Sequence, residues 1–171
     1  MKLLKLKILA VILCVGLLFP HCSKNDSDGA TETITVGGLL SLTGNWSTLG
    51  ITSQAAMAIA VEDINNYLSN ISSRYRFATT VYDTKLQTDL STQAMSTAKG
   101  KGIQFIIGPQ SSAEVGAVKA FADANNMIVI SQGSTAGAYA IAGDNIYRFC
   151  PADNVEVLLL PIPCLKVAKK G

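Results

Sequence analysis

Histidine is almost missing from this chain, with His21 the only one in 171 residues. A Ser-His-Asp triad, a histidine-ligated zinc site or a histidine general base would each have to use that one side chain, which excludes most hydrolase and metalloenzyme chemistry. Charge is scarce too: 15% of residues are charged, against roughly 25% in ordinary soluble domains. The 14 basic and 12 acidic residues leave a net charge of only +2, no footprint for nucleic acid or polyphosphate. The four cysteines, Cys14, Cys22, Cys150 and Cys164, show no CxxC or other metal-ligand spacing. Gly100-Lys101-Gly102 lacks the rest of a phosphate-binding loop and reads as a helix stop. No metal, cofactor or catalytic constellation is implied, and the chain does not read as an enzyme.

Apolar residues make up 49% of the sequence and are densest at its start. Lys2, Lys5 and Lys7 precede an aliphatic run from Ile8 to Phe19, the layout of an export signal. Twelve helical residues rise about 18 Å, short of a hydrocarbon core of about 30 Å, so a permanent membrane span is disfavoured. Cys22 follows at once, and a polar stretch from Ser23 runs to about Thr31. This resembles a bacterial lipoprotein: residues 1–21 form a removable signal, Cys22 carries lipid, and 22–32 tether the chain to the membrane. Phe19-Pro20-His21 departs from the small residues usual before such a cysteine, leaving a plain secretory signal or an uncleaved anchor as alternatives. Export would also permit a Cys150–Cys164 disulfide.

From Thr33 onward the hydrophobic period alternates between strand-like and helix-like blocks, which predicts a three-layer α/β/α lobe with a mainly parallel sheet. Strands are expected at Thr33–Leu40, Phe77–Tyr82, Ile103–Ile107, Met127–Ile130 and Ile146–Phe149. Helices are expected at Ile51–Leu68, with Ala55, Ile59, Ala60, Ile64 and Leu68 inward, at Asp89–Lys99, and at Ser112–Asn125. Ser111-Ser112-Ala113-Glu114 fits a capping box, so the third helix should start there, just past the carboxyl end of the third strand.

Four loops should then crowd one rim: Ser41–Gly50, Asp83–Thr88, Gly108–Ser112 and Ser131–Gly137. They are rich in hydroxyls and glycine, with Asp83 and Lys85 the only charges, both expected to be solvated. An anionic group would meet backbone amides, Ser112 and Thr135, which favours a small zwitterion or neutral solute over a phosphate. Trp46 and Leu49 could form an apolar lid.

Three ordered motifs carry a likeness. They are Val36-Gly37-Gly38-Leu39-Leu40-Ser41-Leu42-Thr43-Gly44 leading to an Ala-rich helix, then Ile107-Gly108-Pro109-Gln110-Ser111-Ser112, then Val129-Ile130-Ser131-Gln132-Gly133-Ser134-Thr135. Together, over about Ile34 to Asp153, they resemble the N-terminal part of type I periplasmic binding proteins of the branched-chain amino acid class. The resemblance implies a lobe over 33–153, an amino-acid-like ligand, no enzymatic activity, and an ABC permease as partner. A ligand-sensing receptor or regulator of the same fold is the alternative. By the same resemblance Ser112, Gly133 and Thr135 are ligand-binding and Leu49 is a lid position. Trp46 and Ser111 join them as candidates, although Ser111 fits a helix cap better and Trp46 fits surface cover as well.

Residues 154–171 depart from the family pattern: Leu158-Leu159-Leu160-Pro161-Ile162-Pro163-Cys164 stands where a crossover helix is expected, and its prolines would break one. The segment is expected to be a truncated or out-of-frame end, or else a real terminal segment packed on the lobe. A cleft reduced to one wall should hold an amino acid only in about the millimolar range.

Overall fold

A computed structural model describes residues 30–139 and 141–155. The expected signal 1–21, Cys22, most of the tether, Cys164 and residues 156–171 lie outside the described residues. Among the described residues no helix is long and apolar enough to cross a membrane.

Strand β1 (Glu32–Leu40) leads into helix α1 (Ser47–Asn70), followed by β2 (Tyr75–Asp83), α2 (Thr88–Gly100), β3 (Phe105–Ile107), α3 (Ser112–Asn125), β4 (Ile128–Ser131), a 3-10 turn at Gly137–Tyr139, and β5 (Ile146–Arg148). Among the described residues five strands form one sheet in the order β2-β1-β3-β4-β5. Every pairing is parallel, so the expected α/β class and sheet are observed. All strands end at the same edge, and the loops that leave them share one rim.

Side chains alternate across the sheet, and the two faces are covered unequally. Leu39, Ile106, Val129 and Ile146 point to one face, where they form the core with Ala94, Met95 and Ala98 of α2 and Val115, Val118 and Ala122 of α3. Most of these side chains are fully buried, each contributing about 1.5–3 kcal/mol in the case of a large aliphatic group. On the opposite face Gly38 lies against Met57 of α1, and α1 packs on β1 and β2. Beyond that helix Phe105 of β3 is 43% exposed and Tyr147 of β5 is 54% exposed.

This imbalance corrects the expected stripe on the first helix. Ala55 and Ile59 are exposed, Ala60 and Ile64 are exposed but line the open groove beneath the helix, and Leu68 is half-buried, while Ser53, Met57, Val61 and Asn65 turn toward the sheet. Helical periodicity identifies a helix but not its inward face when Ala, Ile and Val are spread around most of the circumference, as they are here. A groove of about 430 Å³ remains under α1, lined among others by Ala56, Met57, Ile64, Phe77, Ile107 and Gln132.

Helix α1 also begins earlier than expected, at Ser47 rather than Ile51. Trp46 is therefore its N-cap residue and Leu49 lies in its first turn, instead of both lying in an open loop. Gly50 explains how the helix starts so close to the strand, since a Cβ there would collide with the Ser41 carbonyl. Other boundaries shift by one or two residues, and α3 starts and stops where the sequence predicts.

Candidate functional site

The rim is held together by polar side chains that join one loop to the next. Gln110, fully buried, accepts from the Ser41 amide at 2.9 Å through Oε1 and donates to Ser53 Oγ at 3.4 Å through Nε2. One amide side chain thus joins the β1 loop, α1 and the β3 loop. Gly108 lets the β3 loop turn away from the sheet: its φ is +91°, a conformation that favours glycine, and a Cβ would strike the Leu39 carbonyl.

Asp83 departs from the solvated charge expected of it. Oδ1 accepts from the amides of Leu42 at 2.9 Å, Thr43 at 3.2 Å and Lys85 at 3.0 Å, and Oδ2 from the Thr43 hydroxyl at 2.6 Å. Partial burial pushes its carboxyl up, but the Thr43 hydroxyl and the three amides outweigh this and hold it below the ordinary range. Asp83 therefore pins the β1 loop to β2. The signal was legible only in part, because an aspartate at a strand end can equally face water.

Ser111 is the N-cap of α3, and its capping box is complete. Its hydroxyl donates to Glu114 Oε2 at 2.7 Å and accepts from the Glu114 amide at 3.3 Å, and its own amide donates to that carboxylate at 3.2 Å. Buried Glu114 also accepts from Ser91 of α2 at 2.8 Å. The Ser111 hydroxyl is thus committed within its own helix, which removes it as a ligand donor.

Ser112 does something different: Oγ receives the Ala136 amide at 3.3 Å and lies 3.0 Å from Ser134 Oγ, so it ties the α3 N-terminus to the loop after β4. That loop also rests on Ser131, whose hydroxyl donates to the Pro109 carbonyl at 2.6 Å and accepts from the Ser134 amide at 3.1 Å. Arg148 of β5 donates to the carbonyls of Ser134 at 3.3 Å and Ala136 at 2.7 Å, and the Cys150 thiol donates to Ser134 O at 2.9 Å. Gly133 passes so close to Gln110 that a Cβ would lie 2.5 Å from its carbonyl oxygen. The half-buried Thr135 is held through its carbonyl, which accepts from the Asp153 amide at 3.0 Å.

The structure thus brings Ser112, Gly133 and Thr135 together on adjoining, cross-linked loops at the carboxyl ends of β3 and β4. Trp46 and Leu49 stand at the carboxyl end of β1, 38% and 44% exposed. Gln110, Ser131, Ser134 and Arg148 were not singled out from sequence; only the S-x-x-S spacing from Ser131 to Ser134 hints at a side-chain-capped turn. The first amides of α3 have no intrahelical acceptor, and Glu114 N is taken by the cap. Among the described residues the rim offers hydroxyl and amide donors and one exposed cation, Lys85 after β2, while Arg148 donates to carbonyls. The groove under α1 is mostly apolar and meets the rim at Ser53 and Gln132.

Among the described residues the strand-end loops of this parallel lobe are braced in this way and present hydroxyl and amide donors. Residues 33–158 match the family model described as periplasmic binding protein, and the chain belongs to that family, one of solute-binding proteins. An uncharacterised protein of Methanocaldococcus jannaschii is 29% identical over 157 residues, which cover 85% of this chain and 38% of the relative. Among solved structures, a leucine-binding protein from Thermotoga maritima aligns with a TM-score of 0.62 and 22% identity, over 71% of this chain and 34% of its own. An amino acid ABC transporter substrate-binding protein from Pseudomonas fluorescens aligns with a TM-score of 0.64 and 20% identity, over 82% and 37%. A branched-chain amino acid transporter substrate-binding protein from Streptococcus pneumoniae, solved with isoleucine, gives 0.63 and 19%, over 71% and 35%. The chain therefore spans a little over a third of the length of these relatives.

Proposed function

We propose that this chain supplies one wall of an extracytoplasmic cleft for an amino-acid-like solute of the branched-chain class, and that it serves an ABC permease as the solute-delivering partner. The observation that carries the reading is the group of Ser112, Gly133 and Thr135 on mutually braced loops, with Lys85, on the loop after β2, the exposed cation of the rim among the described residues. Hydroxyl and amide donors suit the single carboxylate of a zwitterion, whereas a phosphate would favour an arginine fork. Membership of the periplasmic binding protein family supports the same assignment, as do neighbours whose names specify leucine, isoleucine or amino acids. Leu49 and Trp46, both exposed at the carboxyl end of β1, are assigned to cover the apolar part of such a ligand. Export through residues 1–21 and lipidation of Cys22 would place the cleft outside the cytoplasm at a membrane surface.

The test is an amide-resolved NMR titration of the chain with L-leucine, L-isoleucine and L-valine. Saturable shifts at Ser112, Gly133 and Thr135, and their loss with L-leucine methyl ester, are expected. No shift up to tens of millimolar, or shifts confined to other surfaces, would overturn the reading. Labelling with a radioactive fatty acid in a bacterial host, lost in Cys22→Ser, checks the anchor.

A further inference from the structure

We infer that Ser134 is a positioning residue that turns the Ser112 hydroxyl into a dedicated donor, so that this point of the rim accepts a carboxylate oxygen and refuses a donor group. The inference rests on the proposed reading of Ser112 as a ligand contact and adds to it the reason for its polarity.

The argument is a count of protons. Ser112 Oγ receives the Ala136 amide, which can only donate, at 3.3 Å. Its second protein neighbour is Ser134 Oγ at 3.0 Å, and one of these two hydroxyls must give its proton to the other. Ser134 is fully buried, and Ser112 Oγ is the side-chain partner the structure provides for its hydroxyl. Had Ser112 donated, the Ser134 proton would be buried without an acceptor, an arrangement that folded proteins avoid because the lost hydration is not replaced. Had Ser134 donated, both hydroxyls are satisfied: Ser112 accepts twice, which fills its lone pairs, and its own proton faces the half-open rim. The second arrangement is the stable one.

Ser134 cannot readily turn away from this task. Its amide is held by Ser131 Oγ at 3.1 Å, and its carbonyl by Arg148 at 3.3 Å and the Cys150 thiol at 2.9 Å. The direction of the Ser112 proton is thereby set before any ligand arrives, and the reorientation that binding would otherwise require is already made. A ligand atom meeting Ser112 finds a donor with no free lone pair, which admits a carboxylate or carbonyl oxygen and opposes a ligand N–H.

Two experiments decide this. Neutron diffraction from deuterium-exchanged crystals of the chain should place the Ser134 deuterium on the line to Ser112 Oγ and the Ser112 deuterium toward the rim; a Ser112 deuterium aimed at Ser134 would overturn the inference without reference to any ligand. The second is a double-mutant cycle read by NMR titration with L-leucine. Ser134→Ala should weaken binding about fivefold to tenfold, the scale of one hydrogen bond, but should have no further effect in a Ser112→Ala background. Equal weakening in both backgrounds would show a merely structural role and sink the inference. Ser134→Cys keeps the volume with a poorer donor, and its binding should fall between wild type and Ser134→Ala if the alanine variant folds poorly. Failure of the wild-type chain to bind L-leucine would count against the proposed function, and the neutron result would still decide the direction of the proton.

Discussion

Two adjacent serines at the start of α3 divide the work that either could do alone. Ser111 closes a capping box on Glu114 and Ser112 bridges to the next loop. Ser111→Ala should therefore cost about 1 kcal/mol in urea unfolding and leave the affinity for L-leucine unchanged. Ser112→Ala should weaken L-leucine at least fivefold, the scale of one hydrogen bond, as followed by NMR titration. Asp83 makes a second residue-scale prediction. Its folded carboxyl titrates below the ordinary value, so its contribution to stability is fully present above the unfolded pKa of about 3.9 and is lost as pH falls through the folded pKa. Urea midpoints measured between pH 6 and pH 2 should drop less steeply below pH 4 in Asp83→Asn than in wild type. At this scale the sequence was informative where a local pattern encodes a local bond, as in the S-x-x-E box. It was silent on Gln110 and Arg148, whose partners lie far away in the chain, 69 residues from Gln110 in the case of Ser41.

Elements were easier to read than their packing. All five strands and three helices have a signature in hydrophobic period, and α3 was legible at both ends because a cap marks its start and Asn126, with φ +52°, its stop. The start of α1 was misplaced by four residues because Trp46 makes no side-chain cap bond and no Ser, Thr, Asp or Asn cap marks the helix. Its inward face was misread in part, at Ala55 and Ile59, because it packs mainly on β1 and β2, which requires only a narrow stripe. Between elements, Gln110 is the decisive connector. Gln110→Ala should leave the Ser41 amide buried without an acceptor, cost about 1–3 kcal/mol in urea unfolding, and raise hydrogen exchange at Ser41 more than at the core strand amide of Val129.

The whole lobe is asymmetric, with a closed core between the sheet and α2 and α3 and a partly open face beside α1. Phe105, Tyr147 and Phe149, the last 83% exposed, share that second face by strand parity. No pattern in the sequence could mark them as exposed, since an apolar strand looks the same whether one face or both are covered. The expectation is that the native chain enhances the fluorescence of an anilinonaphthalene dye, and that Phe105→Ser with Tyr147→Ser lowers the signal without lowering the melting temperature by more than a few degrees. The rim owes its order to a slender part of this lobe. Arg148 grips the carbonyls of Ser134 and Ala136, yet it sits on β5, three residues long and, among the described residues, paired with β4 alone. Mechanically, loop and edge strand are springs in series, and the softer one sets the compliance of both. Brief fraying of β5 would release the grip and leave the loop slack, so the site would lose its shape well before the core melts.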